Sequence, residues 1–263
     1  MPREEQKRSE RRGSPLKVRI KFAKTGALRY IGHLDVMRYF QKAIRRTEIE
    51  ASYSNGFSPH MIMSFAEPLG VGLTSIGEYF DLELNYEEAS CPSGEHIIKE
   101  LNAQMAEGIK VLSVRKIESG RKSNAMSLVA GASYTVSYTL SSDSDREKDQ
   151  DLLLKDFLSL ETVPAEKKTK SGTKTEDIRP LIYKMETAGV PAEEAEEGFE
   201  RAIHLFCSAG SAANLKPETA FGAFFSFAGL NVSRWEMRIR RDEMYAAADG
   251  GTFVPLESLG EPF

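Results

Sequence analysis

Cysteine is scarce in this sequence. There are two in 263 residues, Cys91 and Cys207, too few and too far apart for a disulfide framework, a zinc site or an iron-sulfur ligand set. Both are read as buried thiols. The four histidines fall in no His-x-His or His-Glu-x-x-His spacing, so no metal is expected. Long apolar runs are missing, and the opening MPREEQKRSERRGSPLK has no apolar stretch of the secretory kind. No membrane contact and a cytoplasmic location are therefore expected. The glycine fingerprints of Walker loops and dinucleotide sites are absent too, and no cofactor is expected.

What is present is an ordinary globular composition, 41% hydrophobic and 28% charged, with enough length for two compact domains. The net charge of -4 argues against a general polyanion binder, yet the charge is unevenly spread. Residues 1–50 hold 14 Lys and Arg against 6 Asp and Glu, so a front of +8 precedes a remainder of -12. One anion-attracting face is the consequence.

Alternating Val18, Ile20 and Phe22 predict a half-buried strand over Lys17–Gly26, and HLDVMRYFQKAIRRTEI predicts a helix. A short strand at IEASYS, a bent loop across Ala51–Gly72, a strand over Ile76–Tyr86, a helix capped by Ser93 and stopped near Gly108, and a strand over Ile109–Glu118 complete one unit. After a polar connection near 119–130 the order repeats. Strands are predicted at ASYTVSYTL, DIRPLIYKMETAG, FERAIHLFCSA and NVSRWEMRIRRDEMYA, with helices at DREKDQDLLLKDFLSLE and KPETAFGAFFSFAG. The expected class is α+β, two tandem ferredoxin-like (βαββαβ) units with antiparallel sheets. The expected divisions are a disordered charged tail over 1–15, units over 16–120 and 128–246, and a tail over 247–263.

Candidate site residues fall into four groups. Arg38, Lys42, Arg45 and Arg46 would line one helical face with few acids at i±4, and unpaired arginines suit phosphates. Lys167, Lys168, Lys170 and Lys174, with Arg179 at the base, make a lysine-rich loop able to track a nucleic-acid backbone. Gly210, Ser211, Asn214 and Lys216 lead into a helix and are a candidate anion site, a plain capping turn being the alternative. Phe57 and His60 in the Ala51–Gly72 loop would add a base or backbone contact, and His33 with His60 is a candidate acid-base pair. His96 and His204 are read as structural.

Three stretches, Gly32–Asp81 (GHLDVMRYF…GEYFD), Lys167–Ile182 (KKTKSGTKTEDIRPLI) and Gly210–Glu218 (GSAANLKPE), resemble the uncharacterised radical-SAM-linked proteins, which are fused to radical SAM enzymes or encoded beside them. The resemblance spans Lys17–Tyr245 and implies a bacterial cytoplasmic protein associated with a radical SAM enzyme or with RNA metabolism. It implies no assigned activity, and this chain lacks the cysteine triplet for a cluster of its own. The expectation is an RNA-binding or substrate-presenting accessory protein with no catalytic activity of its own. The alternatives are a protein-docking scaffold and a metal-independent ribonuclease; RNA and a radical SAM enzyme are the expected partners.

Overall fold

The computed structural model describes residues 16–118, 120, 123–169 and 172–263; the predicted tail over 1–15 lies outside them. Strand β1 (Leu16–Lys24) realises the predicted alternation, burying Val18, Ile20 and Phe22 completely or nearly so. Helix α1 (His33–Ile44) packs Val36, Phe40 and Ile44 on that face, with the Phe22 and Phe40 ring centroids 4.7 Å apart. Then come β2 (Met63–Phe65), β3 (Thr74–Leu84), α2 (Gly94–Asn102) and β4 (Ile109–Ile117). The strands pair antiparallel, β1 lying between β4 and β3 while β2 lies on the other side of β3.

The second half runs through β5 (Val129–Tyr138), preceded by the short α3 (Ala125–Leu128). It continues with α4 (Asp143–Arg146), α5 (Gln150–Leu158), β6 (Pro164–Thr169), β7 (Gly172–Asp177) and β8 (Ile182–Ala188). α6 (Ala192–Glu196), β9 (Arg201–Ser208), α7 (Pro217–Phe227), β10 (Met237–Ala247) and β11 (Phe253–Pro255) follow. Here β10, β5, β9 and β8 lie side by side, all antiparallel. Tyr134, Val136 and Tyr138 of β5 enter a core with Phe221, Phe224 and Phe225 of α7.

The expectation of separate antiparallel sheets gives way at the join. Among the described residues nine strands form one mostly antiparallel sheet, because β10 pairs parallel to β3 at Arg240↔Thr74 and Arg241↔Ser75. Gly77 makes the join possible: a Cβ there would stand 2.4 Å from the Asp242 carbonyl oxygen. β2 pairs with only three residues of β3, Phe80 to Leu82, which leaves the start of that strand open to β10.

Other predicted elements move for local reasons. α1 stops at Ile44, where the Thr47 hydroxyl donates to the Ile44 carbonyl at 2.7 Å and diverts the chain into a turn. The predicted strand at IEASYS is reduced to isolated bridges, Ala51↔Leu84 and Tyr53↔Met61, and β2 forms inside the predicted loop. The predicted helix over DREKDQDLLLKDFLSLE divides because the Asp149 carboxylate caps a second helix start, accepting from Asp151 N at 3.0 Å and Leu152 N at 3.1 Å. Among the described residues the lysine-rich loop is a two-stranded ribbon, β6 and β7 pairing with each other alone. Residues of the predicted tail over 247–263 fold back: β11 pairs β10, Leu256 is fully buried and Glu261 bridges Lys116.

Candidate functional site

The predicted cationic stripe is only partly helical. Arg38 and Lys42 lie on α1, Arg45 caps its end and Arg46 follows in the turn; all four are exposed. Arg38 meets Asp35 at 3.6 Å, an i-3 acid rather than an i+4 one, and Arg46 donates to the Gln104 side chain at 3.1 Å and its carbonyl at 3.3 Å. The Lys42 and Arg45 side chains have no hydrogen bond or ion pair within the described residues.

The two candidate catalytic histidines have separate surroundings. His33 opens α1 with its ring edge-on to Phe65 at 5.0 Å, and burial lowers its pKa. It borders a cavity of about 10 Å³ with Lys24 and Glu78, room for a single water at most. His60 is exposed and held inside its own loop, its Nδ1 2.7 Å from the Ser54 hydroxyl. No hydrogen bond joins the two rings among the described residues. Phe57, at the tip of the same loop, is fully exposed, and Gly56 takes the positive φ of 115° that the turn requires.

On the ribbon, Lys167 and Lys168 belong to β6 and Lys174 to β7, where Lys174 is exposed; Lys170 lies outside the described residues. Arg179 does not belong with them. It donates through Nε and Nη2 to the Leu158 carbonyl at 3.1 and 2.8 Å and through Nη1 to the Ile182 carbonyl at 3.1 Å. Its guanidinium fastens the base of the ribbon to the end of α5, and the predicted phosphate contact is replaced by backbone carbonyls.

The predicted anion loop carries the opposite sign of partner. Gly210 is required there: its φ is 100°, and a Cβ would lie 2.1 Å from the Val129 carbonyl oxygen. Asn214 donates to the Glu67 carboxylate at 2.6 Å, which places an acid of the first half against the loop. Ser211 and Lys216 stay exposed, and Pro217 opens α7 without a backbone donor.

The most distinctive surface was not among the predicted residues. Gly72 N donates to the Arg29 carbonyl at 2.7 Å, and the Arg234 Nη2 stands 2.9 Å from where a Gly72 Cβ would be. These contacts bring the turn Gly26–Tyr30 of the first half to the turn Arg234–Glu236 of the second. The Arg29 guanidinium carbon lies 5.0 Å from the Tyr30 ring centroid. The Arg29 guanidinium beside it chiefly lowers the Tyr30 pKa, with Arg238 and Arg234 adding to the effect. Tyr30 is 58% exposed and Trp235 83%. Arg234 has no hydrogen bond or ion pair within the described residues, whereas Arg238 meets Glu197 at 3.4 Å. Three arginines and two exposed aromatic rings thus come from both halves, Arg238 from the start of β10 and the others from the two turns. The doublets Arg29-Tyr30 and Arg234-Trp235 were the available sequence signal.

A buried polar layer crosses the join between the halves. Asp81 accepts from Arg19 Nε at 2.8 Å, from Arg19 Nη2 at 3.2 Å and from Ala125 N at 2.7 Å. Lys21 and the Tyr79 hydroxyl both bind the Glu243 carboxylate, at 2.6 and 2.7 Å. Arg241 donates to Glu78 and to the Glu67 carbonyl, each at 3.1 Å. The last two sets tie β1 or β3 to β10, so both halves depend on one network.

No helix among the described residues is long and apolar enough to cross a membrane. The family model described as "Uncharacterized protein conserved in bacteria (DUF2344)" matches residues 17–217, and the chain belongs to that family. No curated protein matches it.

Proposed function

We propose that this member of an uncharacterised bacterial family is a cytoplasmic RNA-binding accessory protein, built from two ferredoxin-like units, that presents RNA to a radical SAM enzyme. The two-unit reading is supported by strand order: β4-β1-β3-β2 in one half and β10-β5-β9-β8 in the other follow the same plan. The partner is supported by the resemblance of Gly32–Asp81, Lys167–Ile182 and Gly210–Glu218 to radical-SAM-linked proteins.

The observation that carries the RNA reading is the surface of Arg29, Tyr30, Arg234, Trp235 and Arg238. Exposed aromatic rings offer faces on which unpaired bases stack, and arginine forks suit the phosphates between them. Trp235, 83% exposed, leaves most of its ring open for stacking. Lys42 and Arg45 are further exposed cations of the first half.

Trp235 is the only tryptophan, so its fluorescence reports directly on stacking. Single-stranded RNA should quench it, with affinity falling as salt rises, and Arg234→Ala should weaken binding and reduce the salt slope by about 1. No quenching together with no salt-dependent binding refutes the reading. A stoichiometric complex with the enzyme that forms without RNA and ignores Arg234→Ala would instead establish a docking scaffold. RNA should remain intact on incubation with the protein in chelator; cleavage lost on His33→Ala would establish a ribonuclease.

A further inference from the structure

Five buried side-chain polar atoms lack a hydrogen-bond partner among the described residues, and four of them meet on one face of the second half's sheet. They are Ser137 Oγ of β5, His204 Nδ1 of β9, Arg238 Nε of β10 and Glu194 Oε2 of α6. The register sets the strand residues in two adjacent rows, Arg238 opposite Ser137 and Arg240 opposite Thr135, with Thr135 opposite His204. Tyr134, Val136 and Tyr138 point into the main core, so Ser137 and Thr135 belong to the opposite face of β5. Ser137 is nevertheless fully buried.

What covers this face is the acidic segment between β8 and β9. Glu193, Glu194, Glu196 and Glu197 crowd into it, and Gly198 closes it at φ 94°. Its contacts run to the sheet's cations. The Glu197 carboxylate is 3.4 Å from Arg238 Nη2, Phe199 lies under the Arg238 guanidinium at 5.1 Å, and the Glu194 carboxyl feels Ser137 and Arg240. Burial raises the Glu194 pKa more than these neighbours lower it. Glu194 approaches Ser137 without hydrogen-bond geometry, so the cover sits on polar groups that it leaves unsatisfied, an arrangement that costs free energy.

Arg238 belongs to both surfaces, since its charge also reaches the Tyr30 phenol. We infer that α6 is a displaceable cover over a second stretch of the RNA site, its carboxylates occupying the places that phosphates take when RNA binds. This rests on the RNA reading above. A strand seated on Tyr30, Arg234 and Trp235 would continue past Arg238 onto Ser137, His204 and Arg240 once α6 lifts. A phosphate would take the place of Asp242, which now meets Arg240 at 2.7 Å and accepts from the Thr135 hydroxyl at 2.6 Å. Repulsion between phosphates and the four glutamates makes the cover a brake on affinity and a filter against weak ligands.

The experiment is a titration of a fluorescein-labelled oligouridylate, at one fixed salt concentration, into the full chain and into Glu194→Gln/Glu197→Gln. Removing the two charges should tighten binding about tenfold, and Arg240→Ala added to that pair should abolish the gain. Amide exchange on the wild-type chain needs no variant: adding the oligonucleotide should raise exchange over 192–199 while lowering it around Tyr30. Equal affinity of wild type and double variant, with unchanged exchange over 192–199, overturns the cover while leaving RNA binding itself standing. Failure of both proteins to bind the oligonucleotide overturns the cover and the RNA reading together.

Discussion

Asp81→Asn is the sharpest test of how the two halves are held. Asp81 is fully buried and its two carboxylate oxygens accept three donors, Arg19 Nε, Arg19 Nη2 and Ala125 N, at 2.8, 3.2 and 2.7 Å. An asparagine replaces one acceptor by an NH2 group, so whichever way it turns, a donor faces a donor. Arg19, 1% exposed, keeps its other bonds to the Leu256 and Ser123 carbonyls but loses the one anionic partner it has among the described residues. A charged hydrogen bond contributes about 1.5–3 kcal/mol, and breaking a buried pair from one side costs about 3–5 kcal/mol. The expected loss is about 4 kcal/mol, or a drop in Tm on the order of 10 °C for a chain this size. Urea unfolding followed by far-UV circular dichroism measures it. Arg38→Ala, which removes an exposed pair at 3.6 Å, should change stability by no more than about 0.5 kcal/mol. A loss below about 1 kcal/mol for Asp81→Asn would show that the pair is not held in a dry interior and would refute the argument.

Gly77→Ala should disturb the β3–β10 join, because its Cβ would meet the Asp242 carbonyl oxygen at 2.4 Å; a loss of about 1–3 kcal/mol is expected in the same urea assay, and wild-type stability would contradict the close approach. Burial pushes the Cys207 thiol up to about 12, so it stays protonated near neutral pH, while Cys91 is only half-buried. A disulfide-exchange reagent should therefore modify Cys91 in the native protein and Cys207 only after unfolding; equal rates would be inconsistent with the core. The Ser141 and Ser233 hydroxyls and the Ser233 N–H hold the Glu236 carboxyl down at about 2. A depressed carboxylate contributes stability above its unfolded pKa and loses it as pH falls through the folded one, so Glu236→Gln should flatten the acid limb between pH ~4.3 and about 2. An unaltered limb would mean that the cap does not form.

Where a signal is local, it was legible. The alternation of Val18, Ile20 and Phe22 gives β1, Ser93 caps α2 by accepting from His96 N at 3.3 Å, and Pro217 begins α7 as read. Site residues were harder because exposure is not a local property. Arg179 reads both as the firm base of the lysine loop and as one more phosphate ligand, and its three bonds to carbonyls make it the base. Asn214 and Lys216 read as an anion loop until Glu67, 147 residues earlier than Asn214, arrives against it. Tyr30 and Trp235 were passed over because each is one aromatic residue in a short turn, and only the approach of the two turns sets Tyr30 among Arg29, Arg234 and Arg238.

By itself the sequence determined the α+β class, most strand and helix positions and the uneven charge, because periodicity, caps and turn residues act over a few positions. Tertiary structure alone decided that the halves share one sheet and that Arg19 and Arg241, which alternate like solvent-facing charges, are buried as ion pairs. It also decided that an acidic linker lies on a polar sheet face. The physical reason is common to all three: a strand's period of two says which residues share a face, but burial of that face depends on what distant chain covers it.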